Sequence, residues 1–353
     1  MKLEQVVPYL IDLQLLDARD LVCGEVRVDD RSSRNRAFAV HATTRAGYFV
    51  KCAQAGEVGA LDAEARIYDH MSEGGAFAAL ASYVPVRRHF EPHTQVLTTE
   101  LVIAAHDIHD CARSAELSRN VAASLGHALA AVHASDVNGA GAAVVRQMIP
   151  WAFNVVVPSP EIFRDIAPLQ LELVRLVQQQ PGVVTTVQKL RGDWQCTTFM
   201  HGDVRWGNVL VASDRSVRLI DWEAAGTGDA AWDVGCAMQG WIELAVDNLD
   251  ISDQDELSDA STRFTARLPQ LQDQIRTMWH AYLESARLDE ADAHELLDRS
   301  SSYAALRLLE SAYEWARGRT RFTSSSILML QAGVNLLSQP RDARVAFLGI
   351  AAP

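Results

Sequence analysis

Little in these 353 residues suggests a stapled or membrane-embedded protein. The five cysteines, Cys23, Cys52, Cys111, Cys196 and Cys236, are odd in number, far apart and without a Cys-x-x-Cys pair. That spacing indicates neither a disulfide framework nor a thiolate metal site, and leaves them as reduced packing residues. Positive charge is also short, with 32 Lys and Arg against 45 Asp and Glu and a formal net charge of -13. A nucleic-acid partner is therefore not expected, because phosphate contacts need clustered cations. No apolar run approaches the ~18 residues of a membrane span, and Glu4, Pro8 and Asp12 interrupt the apolar start in a way a signal-peptide core would not tolerate. No membrane partner is expected, and the cytoplasm is the default compartment. Repeats and low-complexity tracts are missing too. What is present is a 48% hydrophobic chain, long enough for two domains or lobes at ~100–200 residues each.

Short runs rich in β-branched and aromatic residues, Glu25 to Val28, Ala37 to His41 and Tyr48 to Lys51, alternate with turn-like segments and predict a small antiparallel sheet near the N-terminus. A helical pattern follows in which Leu61, Glu64, Ala65, Tyr68 and Met71 share a face, so the Glu64 carboxylate points inward and needs a cation. Gln95 to Thr99 reads as another strand, and beyond Glu100 the patterns turn mostly helical. Leu117, Val121, Leu125, Leu129 and Val132 predict a buried helix behind a Ser114 cap, and Ser159-Pro160 reads as the start of a helix running toward Gln180. Between these helices and the later ones, Thr197 to Met200, Val209 to Val211 and Val217 to Ile220 read as a β-hairpin pattern.

Chemistry concentrates on that pattern. His201-Gly202-Asp203-Val204-Arg205-Trp206-Gly207-Asn208 joins two apolar strands, and Asp221-Trp222-Glu223 closes a third. Acids and an amide at strand ends can converge on one point. Mg²⁺ wants oxygen ligands from one or two carboxylates and from nucleotide phosphates, which Asn208 and Asp221 suit, while Asp203 would face an incoming hydroxyl.

On these residues the chain resembles the aminoglycoside phosphotransferase and choline kinase group, which shares the protein-kinase-like fold. The group's catalytic loop reads His-Gly-Asp with an Asn five residues after the Asp, and its metal-binding acid opens an Asp-Trp sequence; both are present here. Gly228-Asp229 followed by Asp233 is similar to its Gly-Asp-x-x-x-Asp continuation, whose last Asp props up the catalytic loop, and Leu125-Gly126 with Leu129 to His133 is similar to the helix before that loop. The resemblance implies an α+β, bilobal fold, with a small antiparallel-sheet N-lobe in residues 1–100 and a larger, mostly helical C-lobe in residues 101–353. It implies that ATP or GTP and Mg²⁺ are the cofactors, that Lys51 holds the α- and β-phosphates and pairs with Glu64, and that the backbone at Glu100 and Val102 meets the adenine. His201 would hold the loop, Arg205 would spread the charge of the transferred phosphoryl group, and Asn208 and Asp221 would bind the metal. Because an ordinary carboxylate is a weak base, with a pKa of ~4, the group at position 203 is expected to orient the hydroxyl and accept its proton late.

The chain departs from protein kinases where they cover the phosphates with several glycines. Ser33-x-Asn35-x-x-Phe38-x-Val40 stands there and is similar to the pattern of many small-molecule kinases, in which side-chain donors such as those of Ser33 and Asn35 replace glycine contacts. From Glu243 to Asp298 fourteen acids meet four arginines, a net charge of -10. Acids on helices that line an acceptor site would attract a cation, so the expected acceptor is a small cationic or sugar-like molecule with a hydroxyl. Two alternatives stand beside it: a Ser/Thr kinase for a natural-product precursor peptide, which would need a separate lyase as partner, and a catalytically silent kinase-like binding module.

Overall fold

The computed structural model describes residues 1–32, 35–54, 59–72, 74–102, 106–107, 119–140, 147–249 and 256–351. Five strands form an antiparallel sheet in the order β1-β2-β3-β5-β4: β1 (Val26–Asp30), β2 (Arg36–Ala42), β3 (Tyr48–Cys52), β4 (Arg87–Glu91) and β5 (Val96–Glu100). Central β3 shows why the pattern matters. Its alternate residues Tyr48, Val50 and Cys52 pack with Phe38, Val40 and Val96 against Val6, Leu10 and Leu16, a separate apolar cluster of the N-terminal segment. The period of two sends Lys51 to the other face, toward helix α3 (Asp62–Met71). On α3, Leu61, Ala65, Tyr68 and Met71 join the main core, and Glu64 is buried among them.

Two helices and a strand add to the expected sheet. Helix α1 (Leu3–Asp12) covers the face opposite α3 despite Pro8 in its middle, and α2 (Ala18–Cys23) starts from Asp17, whose side chain accepts from the backbone N–H groups of Arg19 and Asp20. Strand β4 escapes a pattern search because its sequence, Arg-Arg-His-Phe-Glu, lies on the sheet edge and buries neither face fully. Ser159-Pro160 opens only the 3-10 turn Pro160–Arg164, and the following helix starts afresh at Pro168. The residue before a proline avoids the helical region, and Ala167 is extended with ψ 154°, so one helix cannot run from 160 through 168.

The second part is mostly helical. Helix α4 (Arg119–His133) lies along α8 (Leu257–Ala286), and α7 (Ala230–Asp247) along α9 (Glu290–Ala316), with α5 (Pro168–Gln178), α6 (Pro181–Gly192) and α10 (Ser324–Ser338) around them. The first of these crossings requires Gly126, since a Cβ there would stand 2.2 Å from the Met278 carbonyl oxygen. Ser114, the expected cap of α4, lies outside the described residues.

The short strands pair differently from the expected hairpin. Strand β8 (Val209–Val211) does form a hairpin with β9 (Val217–Leu219) and also pairs with β6 (His106–Asp107), but β7 (Thr198–Met200) pairs with β10 (Gly226–Gly228) instead. The segment 201–208 therefore bridges two small sheets. Among the described residues no helix is long and apolar enough to cross a membrane.

Candidate active site

Lys51 stands at the centre of an acidic cluster. Its Nζ donates to Glu64 Oε2 at 2.8 Å, forms a short contact with Asp221 Oδ1 and lies 3.5 Å from Glu223 Oε2. Burial alone would push the ammonium down, but Glu64 and Asp221 outweigh it and hold Lys51 above the ordinary lysine value. Burial pushes Glu64 up, and Lys51 works against that shift. The sheet, α3 and the end of β9 thus meet at one ammonium group, joining segments 170 residues apart in sequence. Glu223, to which the sequence reading gave no role, also accepts from Asn35 Nδ2 at 3.4 Å. Its signal was its place two residues after Asp221. Ser33, expected beside Asn35, lies outside the described residues.

Asp221 has φ 64° and ψ 65°, the left-handed region that a non-glycine residue enters at a cost of ~1–3 kcal/mol. The conformation turns the chain sharply after β9 and leaves the Asp221 side chain 28% exposed, where Lys51 reaches it. In β8–β9 pairing Val209 stands opposite Leu219, and the Ile220 N–H donates to the Asn208 carbonyl at 3.0 Å, so Asn208 and Asp221 are held at the same end of the hairpin.

The loop 201–208 is fixed largely through backbone groups. Asp233 on α7 accepts from the N–H groups of His201 at 2.7 Å and Gly202 at 2.9 Å, while Trp232 Nε1 donates to the Gly202 carbonyl at 2.9 Å. Gly202 has φ 82°, and a Cβ there would meet the Ala224 carbonyl oxygen at 2.3 Å, so only glycine fits. Fully buried His201 donates from Nε2 to the Ile220 carbonyl at 3.0 Å and accepts at Nδ1 from the Asp203 N–H at 3.3 Å, with its ring centre 4.5 Å from that of Trp222. Both nitrogens are engaged, which suits a structural His and not a base.

Asp203 is oriented from two sides. Asn208 Nδ2 donates to the Asp203 carbonyl at 2.9 Å and to its Oδ2 at 3.0 Å, and Arg205 Nε lies 3.0 Å from the same Oδ2. The Asp203 side chain is 27% exposed and that of Arg205 52% exposed, so both can be reached from outside. With its amide nitrogen committed to Asp203, Asn208 has its Oδ1 to offer a cation beside Asp221. A hard oxygen pair of this kind fits Mg²⁺.

At the end of β5, the Glu100 N–H donates to the Val86 carbonyl at 2.8 Å and the Leu101 N–H to the Gly47 carbonyl at 2.9 Å. Neither N–H is available to a base, so an adenine meeting this segment would have to use the Glu100 carbonyl and the Val102 N–H. Glu100 itself also pairs with Arg88 at 3.0 Å.

On the other side of Asp203, α7 and α9 carry a polar group that the sequence reading missed. Arg307 and Glu310 form a buried ion pair, and Gln239 donates to Glu243 at 2.9 Å and to Ser311 at 3.1 Å. Burial pushes the Glu310 carboxyl up; Arg307 opposes this, and the charges of Glu314 and Asp203 add to it. Glu310, the acid that feels the charge of Asp203, thus lies past the stretch Glu243 to Asp298. Most described acids of that stretch serve the surface: Asp273 holds Arg119 at 2.8 Å, Asp298 pairs with Arg344, and Asp289 caps its helix. Asp250, Asp253 and Asp255 lie outside the described residues.

Residues 25–251 match the model of a family described as the phosphotransferase enzyme family. Among solved structures, a choline/ethanolamine kinase family protein from Mesorhizobium loti is similar with a TM-score of 0.55 at 15% identity, over 98% of this chain and 100% of that one. A choline kinase from Streptococcus pneumoniae gives 0.53 at 13% identity, over 95% and 98% of the two chains, and an ethanolamine kinase from Plasmodium vivax gives 0.52 at 13%, over 91% and 84%. At such identities the likeness concerns the fold. No curated protein matches the sequence.

Proposed function

The chain belongs to the phosphotransferase enzyme family, the group of aminoglycoside phosphotransferases and choline kinases, and from that membership we propose that it moves the γ-phosphoryl group of ATP or GTP to a hydroxyl of a small cationic or sugar-like molecule. One observation carries the reading. Lys51, ringed by Glu64, Asp221 and Glu223, and Asp203, oriented by Asn208, are supplied to the same end of the β8–β9 hairpin, one from each side. A lysine whose ammonium is fixed by buried Glu64 and reaches the partly exposed Asp221 and Glu223 is suited to receive phosphate oxygens. We read residues 1–100 and 101–353 as the two lobes that bring these sides together.

In this reading Lys51 steers the α- and β-phosphates, Glu64 fixes the direction of its side chain, and Asn35 with Ser33 covers the phosphates. The Glu100 carbonyl and Val102 N–H meet the base. Asn208 and Asp221 would hold Mg²⁺, which supplies charge neutralisation on the phosphate oxygens. Asp203 Oδ2 is taken by Asn208 and Arg205, which directs Oδ1 to the acceptor hydroxyl. The Asp203 carboxylate aligns that hydroxyl and takes its proton as the new O–P bond forms and the bond from the γ-phosphorus to its bridging oxygen breaks, releasing the nucleoside diphosphate. Arg205, once released from Asp203, can reach the moving phosphoryl group, and His201 keeps the loop in shape through its two hydrogen bonds.

Glu310 and Glu314, which share the Arg307 guanidinium, favour a cationic acceptor over an anionic one. Screening amines, amino alcohols and amino sugars by mass shift, with Mg²⁺ and ATP or GTP, tests the proposal. A gain of one phosphoryl group, lost in Glu310→Gln for cationic acceptors, supports it. Transfer to seryl peptides alone would favour the peptide reading, and no transfer with nucleotide still bound would favour the silent module.

A further inference from the structure

A cavity of about 430 Å³ lies among α4, α8, α9 and the segment before β7, with His133, Tyr282, Leu288, Asp292, Glu295 and Arg299 in its wall. It is separate from the residues gathered at Lys51 and Asp203, and its size falls within the range of small-molecule sites. The polar base is hydrogen-bonded. His133 Nε2 lies 3.4 Å from Asp233 Oδ2, and His133 Nδ1 lies 2.9 Å from the Tyr282 hydroxyl. Burial, together with the charges of Asp233 and Asp229, keeps that hydroxyl protonated far above neutral pH.

Charge decides what could enter. Among the described residues Arg299 is the only lysine or arginine in the wall, and it is already committed: its Nε lies 3.1 Å from Asp229 Oδ2, and its Nη1 pairs with Glu295. Asp292, exposed near the start of α9, has no cation within 4 Å among the described residues. Asp292 and Glu295 stand in the wall against one guanidinium, with Asp229 and Asp233 buried behind Arg299 and His133, and an anion would be repelled. Ala130, Ala134, Ala286 and Leu288 add short apolar walls. We propose that this cavity is a second binding site, for a small organic cation: an amine or guanidinium on a short aliphatic body, its charge at Asp292 and Glu295 and its chain along the alanines.

Titrating agmatine, a probe that carries both kinds of cation, into the full chain without nucleotide tests this by calorimetry. The expected result is saturable binding that weakens at least tenfold in Asp292→Asn and in Ala134→Trp, which removes the charge or fills the space from an exposed position, while Glu310→Gln leaves it unchanged and the anion glutarate produces no heat. Thermal unfolding shows that the variants remain folded. The proposal is overturned if agmatine fails to bind, if both cavity variants bind it as the wild type does, or if Glu310→Gln alone abolishes binding, which would put the cation beside Asp203. Phosphoryl transfer is not measured, so failure of the proposed reaction leaves this outcome independent.

Discussion

Replacing Lys51 by Met removes a cation shared by Glu64, Asp221 and Glu223. At 2.8 Å and an effective dielectric of ~20 the Lys51–Glu64 attraction alone is about 6 kcal/mol before desolvation is subtracted. Breaking a buried pair from one side typically costs about 3–5 kcal/mol, because the remaining charge stays buried. The loss should depend on pH in a set direction. Burial already raises the Glu64 carboxyl, Asp221 raises it further, and the lowering effect of Lys51 would be gone. A carboxyl whose folded-state pKa exceeds its unfolded value of ~4.3 contributes stability that is complete below that pH and is lost as pH rises through the folded value. Relative to wild type at each pH, Lys51→Met should therefore lose more stability at pH 8 than at pH 5 in urea unfolding followed by circular dichroism. Adding Glu64→Gln should restore about 1–3 kcal/mol at pH 8, since the stranded charge disappears. Equal losses at both pH values, or a double mutant whose two effects add within ~0.5 kcal/mol, would refute a coupled buried pair.

Other outcomes follow from the loop and the thiols. Gly202→Ala should lower turnover by at least about tenfold with little change in nucleotide affinity, because the Ala224 carbonyl must move to admit the methyl; unchanged kinetics would contradict the close contact. Asp233→Asn leaves either His201 N–H or Gly202 N–H without its acceptor and should cost about 1–3 kcal/mol in chemical unfolding, together with a fall in kcat larger than any change in KM. Burial pushes the Cys52 and Cys236 thiols up, so at pH 8 Ellman's reagent should label exposed Cys23 rapidly and reach Cys236 only in denaturant; fast labelling of native Cys236 would overturn its placement.

Local spacing carried much of this far. Alternation marked β2, β3 and β5 to within a residue or two, and the inward Glu64 announced a cation before any partner was visible. The loop 201–208 and Asp221 stood out by their spacing, and the structure brings Asn208 and Asp221 to one end of the β8–β9 hairpin. What escaped depends on distant partners or on weak pattern. Strand β4 hid behind an edge sequence of arginines, and β7 found its partner in Gly226–Gly228, where two glycines flank Thr227 and blur the strand pattern, because tertiary packing and not pattern selects that pair. Glu310 and Arg307 lie mid-helix in α9, where a charged pair three residues apart reads as a solvated face; only the fold turns that face toward Asp203. The acidic stretch before it misled for the same reason, since a charge count has no direction.

Asp203 is the group proposed to align the acceptor hydroxyl. The most direct measurement is steady-state transfer from Mg²⁺-nucleotide to an acceptor identified by mass shift, comparing wild type with Asp203→Asn, which keeps the shape and removes the charge. A fall in kcat on the order of 10²–10⁴-fold, with nucleotide affinity retained, is the predicted result. Equal turnover by the two proteins would contradict it and move the reaction away from the hairpin.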